Sequence, residues 1–139
     1  MYLTFRDAKY DDARFVYDLR FRAEDKDSYL TGKDIDFDSH CLFWSKYYTC
    51  YRIALSNERK IGFYGFVKSD FRYAVVPERR GEGIGIQMIK DAINKHNLRE
   101  AKVIKSNLAS LRCFEKAGFN ISDKTYCEAE HEYVIVKLR

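Results

Sequence analysis

The sequence predicts an α/β chain of the α+β kind, with a mixed, mostly antiparallel central sheet flanked by about four helices. Three observations predict it. Apolar, aromatic runs of strand length recur at 51–55, 61–67 and 71–76 with short polar breaks between them. Four other stretches repeat apolar residues at three- and four-residue spacing, or carry helix start and stop signals. Near the middle, a strand passes through a glycine-rich turn directly into a helix. The 139 residues suffice for one core and one site, so a single domain over 1–139 is expected.

Residues 2–5 read as an edge strand, and Asp11 and Asp12 open a helix to about Phe21 with Ala13, Val16 and Leu19 on one face. From Glu24 to Asp38 six carboxylates (Glu24, Asp25, Asp27, Asp34, Asp36 and Asp38) face only Lys26 and Lys33, which reads as an acidic loop. Asp36 caps a second helix whose Phe37, Cys41, Trp44 and Tyr48 form a stripe. The runs 51–55 and 61–67, split by the polar residues 56–60, form a hairpin, and Lys68-Ser69-Asp70 turns into the next strand, 71–76. A helix follows from about Gly83 to His96 with Ile86, Ile89 and Ile93 inward. Residues 101–105 form a strand, and 109–116 a short helix that stops at Gly118. The last strand, around 133–138, takes residues 119–126 as its antiparallel partner.

A composition of 46% hydrophobic and 33% charged residues excludes a disordered tail or a repetitive fibre. The net charge of +4 does not make a nucleic-acid binder, because Lys and Arg alternate with Asp and Glu along the chain. It does suit a ligand carrying several phosphates. Cys41, Cys50, Cys113 and Cys127 are widely spaced without zinc-site intervals, which implies reduced thiols and no metal. No stretch approaches a membrane span and no signal-like run opens the chain, so a cytoplasmic location is expected, as a monomer or homodimer.

The chemistry concentrates in Val75-Val76-Pro77-Glu78-Arg79-Arg80-Gly81-Glu82-Gly83-Ile84-Gly85. Glycines let such a turn bring its backbone N–H groups close to an anion, and the following helix adds the positive end of its dipole. The predicted ligand is a pyrophosphate. Other phosphate loops fit poorly, since Gly-Lys-Ser/Thr is missing and the spacing is G-x-G-x-G rather than G-x-G-x-x-G.

Arg80-x-x-Gly83-x-Gly85 after a Val-x-Pro-Glu strand end resembles the acetyl-CoA signature of the GNAT acetyltransferases. Asn107-x-x-Ser110 followed by Phe114-Glu115-Lys116-Ala117-Gly118-Phe119 resembles the later N-x-x-S...Y-x-K-x-G-F block of the same superfamily, at the expected distance. The resemblance implies a GNAT fold in which strands 71–76 and 101–106 splay apart around the pantetheine arm of acetyl-CoA, the co-substrate. It implies cofactor contacts at Val75 and Val76, along the turn at Arg80, Gly81, Glu82, Gly83, Ile84 and Gly85, and at Asn107, Ser110, Phe114 and Lys116. Each has a plainer reading too: the valines as sheet residues, Asn107 as a helix cap, Arg80 as an ion-pair partner of Glu78 or Glu82, and Lys116 as a helix-end charge.

The implied reaction moves an acetyl group to a primary amine of a small molecule. The amine must shed a proton and the departing sulfur can take one, while a strand N–H near Val75 can stabilise the oxyanion. Many family members carry a Tyr, thought to protonate the sulfur, where this chain has Phe114; Tyr73 and Tyr126 are the candidate replacements. His40 is the candidate base, with Asp36, Glu128, Glu130 and His131 as rivals.

Leu19-Arg20-x-Arg22 and Ile35-Asp36-Phe37-x-x-His40, leading to Trp44, faintly resemble sugar-nucleotide N-acetyltransferases of bacteria, although the His-to-Trp interval is four here rather than three. That resemblance implies an amino-sugar nucleotide as acceptor. The acidic residues of 24–38 point instead to a small cationic amine or a protein N-terminus. Phe114 leaves room for a non-catalytic CoA-binding module.

Overall fold

A computed structural model of the chain describes residues 3–21 and 35–139. It contains two four-stranded antiparallel groups set side by side. The first has the order β1 (Leu3–Asp7), β2 (Tyr51–Ser56), β3 (Arg59–Val67), β4 (Asp70–Val75). In the second, β5 (Glu100–Ile104) and β6 (Phe119–Ile121) flank β8 (His131–Leu138), and β7 (Tyr126–Glu128) also pairs with β8. Strands β4 and β5 are neighbours without a hydrogen-bonded ladder between them. This is the splay expected from the resemblance, and it leaves two strand edges facing one gap.

The hairpin turns are tighter than expected. Asn57 and Glu58 alone link β2 to β3, and Lys68 and Ser69 link β3 to β4, all four with positive φ between 49° and 70°. That is the left-handed pair of a two-residue hairpin turn, whose twist matches the flanking strands. Asp70, which the sequence pattern assigned to the break, is therefore the first residue of β4.

Helices α1 (Ala13–Arg20) and α2 (Phe37–Tyr47) cover one face of the first sheet, where Val16, Leu19, Trp44, Tyr51, Ile53 and Phe63 form a core. Asp36 caps α2 by accepting from the Ser39 N–H at 2.7 Å. Asp12 ends a short 3-10 turn before α1 and is fully buried. Burial works against its charge, but hydrogen bonds from Arg6, Lys60 and the Lys9 N–H outweigh it and hold the carboxyl well below its ordinary range. This carboxylate ties β1 and β3 to the start of α1.

Helices α3 (Ile84–His96) and α4 (Leu108–Lys116) pack on the other face, around Tyr64, Phe71, Met88, Ile89, Phe114 and Phe119. Two of the expected stripes are rotated. On α2 the buried residues are His40 and Trp44, with Phe37, Cys41 and Tyr48 half-buried; on α3 they are Ile84, Gly85, Met88, Ile89 and Ala92, with Ile86 and Ile93 half-buried. In both helices a small or polar residue lies on the inner face, so a count of large apolar residues places the stripe one position away. Among the described residues, no helix is long and apolar enough to cross a membrane.

Candidate active site

The gap between β4 and β5 opens into a cleft of about 440 Å³ roofed by the start of α3 and by α4. At one end Gly81 and Gly83 hold φ of +83° and +81°. A Cβ on either would meet no atom of the described residues within 4 Å, so the bare backbone faces the cleft without a side chain over it. Gly83 is the N-cap of the 13-residue α3 and, as a glycine, offers that helix end no capping side chain of its own. Its first N–H groups have no partner inside the helix and are available to an anion.

Gly85 has a different role. A Cβ there would lie 3.1 Å from the Tyr73 ring and 3.2 Å from Cys113 Sγ, so its absence lets α3 close onto β4 and α4. The Tyr73 hydroxyl and Ser110 Oγ lie 2.8 Å apart. The Tyr73 ring meets Phe71 at 5.5 Å and, edge to face, Phe114 at 6.3 Å. Asn107 caps α4 by accepting from the Ser110 N–H at 3.2 Å, which also fixes Ser110 beneath Tyr73. Burial pushes the pKa of the neighbouring Cys113 thiol up, against a hydrogen bond with Tyr73.

Most residues expected at the site converge here. Tyr73, Val75, Arg80, Gly81, Gly83, Ile84, Gly85, Asn107, Ser110, Phe114 and Lys116 all line the cleft. Val76 and Glu82 do not. Val76 donates its N–H to the Ile61 carbonyl and packs between the two cores, and Glu82 pairs with Arg79 at 2.9 Å. Arg80 donates from Nε to the Val75 carbonyl at 3.0 Å, so Arg79 rather than Arg80 takes Glu82. Phe114 is a core side chain, 1% exposed, and packs against Phe119 at 5.0 Å.

His40 lies off the cleft. Its ring is 1% exposed and surrounded by Tyr17, Phe21, Phe37, Phe43 and Trp44 at 5.3–6.3 Å. Burial, with the nearby charge of Arg20, pushes its pKa down to about 4. The unfolded chain therefore takes up a proton near pH 6.5 that the folded chain refuses until about pH 4. Stability from this group is complete above pH 6.5 and falls as the pH drops toward 4, by up to roughly 3 kcal/mol. The urea midpoint is expected to show this loss in the parent and to lose most of the slope in His40→Leu.

The other candidates are dispersed. Asp36 is the α2 cap, and Tyr126 stacks on Tyr133 at 5.3 Å. Glu128 pairs with Lys102 at 2.9 Å, and Glu130 and His131 stand at the β7–β8 turn. Arg20, in the stretch that resembles the sugar-nucleotide enzymes, is buried. Arg22 and the acidic residues Glu24, Asp25, Asp27 and Asp34 lie outside the described residues.

Sequence reasoning missed Asp70, Arg72, Arg79, Lys102, Arg112 and Cys113, all in the cleft wall. Among the described residues the lining carries six cationic side chains and one carboxylate, Asp70, so these residues make the groove electropositive. The two-residue period of β4 was the available signal. It sends Phe71, Tyr73 and Val75 toward α3 and α4, and Arg72 and Ala74 toward α1 and α2.

A glycine-capped helix N-terminus, two open glycines, basic walls and two unpaired strand edges fit a cofactor with a pyrophosphate and an amide-bearing arm. Together with the splayed antiparallel fold, they define a CoA-dependent acyltransferase. The sequence model of the acetyltransferase (GNAT) family matches residues 12–119, and the chain belongs to that family. It is an acetyl-CoA dependent N-acetyltransferase.

No curated protein matches the chain by sequence. Solved structures share its fold. A spermidine N-acetyltransferase from Vibrio cholerae, in complex with CoA and spermine, aligns at TM-score 0.78 and 18% identity over 98% of this chain and 95% of that one. An aminoglycoside acetyltransferase in complex with coenzyme A aligns at 0.72 and 16% over 99% and 95%. A GNAT-family acetyltransferase from Streptococcus pneumoniae aligns at 0.67 and 21% over 99% of both chains.

Proposed function

We propose that this chain, acting as a single domain, transfers the acetyl group of acetyl-CoA to the primary amine of an amino-sugar nucleotide. The observation that carries the acceptor class is the mixed charge at the end of the cleft away from the glycine turn. There Asp70 stands between Arg72 and Lys102, a match for a molecule bearing both a cationic amine and anionic phosphates. Asp70, the one carboxylate among the described residues of the lining, and the acidic residues of 24–38 in the sequence support a second reading, a small cationic amine.

Bound acetyl-CoA supplies an activated thioester. The chain holds its pyrophosphate on the Gly81–Gly85 turn and the start of α3, and receives the arm on the open edge of β4. Val76 donates its N–H to Ile61 on β3 at 2.8 Å. By the two-residue alternation of an antiparallel ladder, the N–H groups of Val75 and Tyr73 turn to the open edge. They are the proposed donors to the arm and to the charge that develops on the acetyl oxygen. Tyr73, oriented by Ser110, is the proposed proton donor to the sulfur, the role that Phe114 lacks a hydroxyl to fill. A base role for His40 requires a water path through its aromatic wall.

Thiol release tests the acceptor. With acetyl-CoA, a UDP-linked amino sugar is expected to react at least about tenfold faster than spermidine in kcat/KM, a difference of about 1.4 kcal/mol in transition-state stabilisation. The reverse order selects the cationic-amine reading. Tight acetyl-CoA binding with no release from either acceptor would remove both acceptor readings.

A further inference from the structure

We propose that Asp70 is the anchor for the acceptor's ammonium group and Arg72 the residue that positions it. The inference rests on the acetyl-transfer reading of the cleft and names a residue that meets the acceptor amine.

Asp70 begins β4 at the end of the strand opposite the glycine turn. Its carboxylate reaches the cleft and is 41% exposed, while Arg72, two residues on and on the same face, is 9% exposed. The Arg72 guanidinium donates to Asp70 Oδ2 and, at 3.4 Å, to the Tyr51 hydroxyl. It also lies over the Phe43 ring at 5.7 Å. Its Nε is buried with no hydrogen-bond partner among the described residues. Arg72 is thus fixed from the core side by a buried tyrosine and an aromatic face, and it holds one carboxylate oxygen. The other oxygen, Oδ1, has no hydrogen-bond partner among the described residues.

The charge pattern selects the ligand. Among the described residues of the lining, a cationic amine meets arginines and lysines and one carboxylate, Asp70. Of these groups only that carboxylate attracts an ammonium, so it fixes which end of an acceptor enters first. Strand alternation adds direction. Asp70 and Arg72 face the α1–α2 side, whereas Tyr73 faces α4.

Ligand-observed NMR titrations into the CoA complex of the full chain test this without turnover. The probes are n-butylamine, a cation at pH 7, and methoxyamine, largely uncharged there. The parent is expected to prefer n-butylamine. Asp70→Asn should weaken that amine roughly 10- to 100-fold and leave methoxyamine within about twofold, the loss expected for a hydrogen bond to a charged group. Asp70→Glu, which keeps the charge, should retain the preference and guards against an effect of misfolding. A parent without the preference, or an Asp70→Asn complex that keeps it, overturns the assignment. Failure of CoA itself to bind would overturn the reading of the cleft instead.

Discussion

Gly83→Val is expected to weaken acetyl-CoA binding by more than about 100-fold, or roughly 2.7 kcal/mol, while the protein still unfolds cooperatively. Two effects add. The new side chain fills space that no atom of the described residues uses, in front of the first N–H groups of α3, which is where an anion must sit. It also forces a β-branched residue to φ of +81°, at a cost of roughly 1–2 kcal/mol or more. The turn relaxes away from the left-handed region and stops aiming its backbone. Gly81→Val should act in the same direction, because Gly81 is equally left-handed and equally open. Calorimetric titration measures the loss, and parent-like affinity in Gly83→Val would place the pyrophosphate elsewhere.

Tyr73→Phe is expected to lower kcat by about 10- to 100-fold with the acetyl-CoA dissociation constant unchanged. The estimate sits at the low end for general acid catalysis because a thiol leaves more readily than an alcohol or an amine. The variant keeps the ring contacts with Phe71 and Phe114 and removes only the hydroxyl beside Ser110. Ser110→Ala should cost less, since it loosens the orientation of the Tyr73 hydroxyl without deleting it. Thermal unfolding should show both variants folded. A Tyr73→Phe enzyme with full kcat would remove Tyr73 from the chemistry, and the thiolate would then leave unassisted.

The glycine-turn end of the cleft was legible because its physics is local. A strand, two left-handed glycines and a helix start follow one another in eleven residues, and their backbone geometry is dictated by residue type. The cap at Asn107 and the hairpin breaks were legible for the same reason. The acceptor half was not. Asp70, Lys102 and Arg112 share a wall only because β4 and β5, thirty residues apart, fail to pair, and no local pattern marks the side chains lining such a gap. Asp70 was further hidden by its place beside a two-residue turn, where an acid reads as turn chemistry. His40 shows the converse. A lone histidine one turn from a tryptophan invites a catalytic role, yet the same spacing also turns it into the aromatic core.

The cleft between β4 and β5 is built for acetyl-CoA, and a calorimetric titration of the parent chain reads this out. Acetyl-CoA should bind with a dissociation constant in the roughly micromolar range, about −8 kcal/mol, and raise the melting temperature by mass action, while NAD and ATP do far less. No heat and no thermal shift with acetyl-CoA at millimolar concentration would contradict the account, as would equal binding of all three nucleotides.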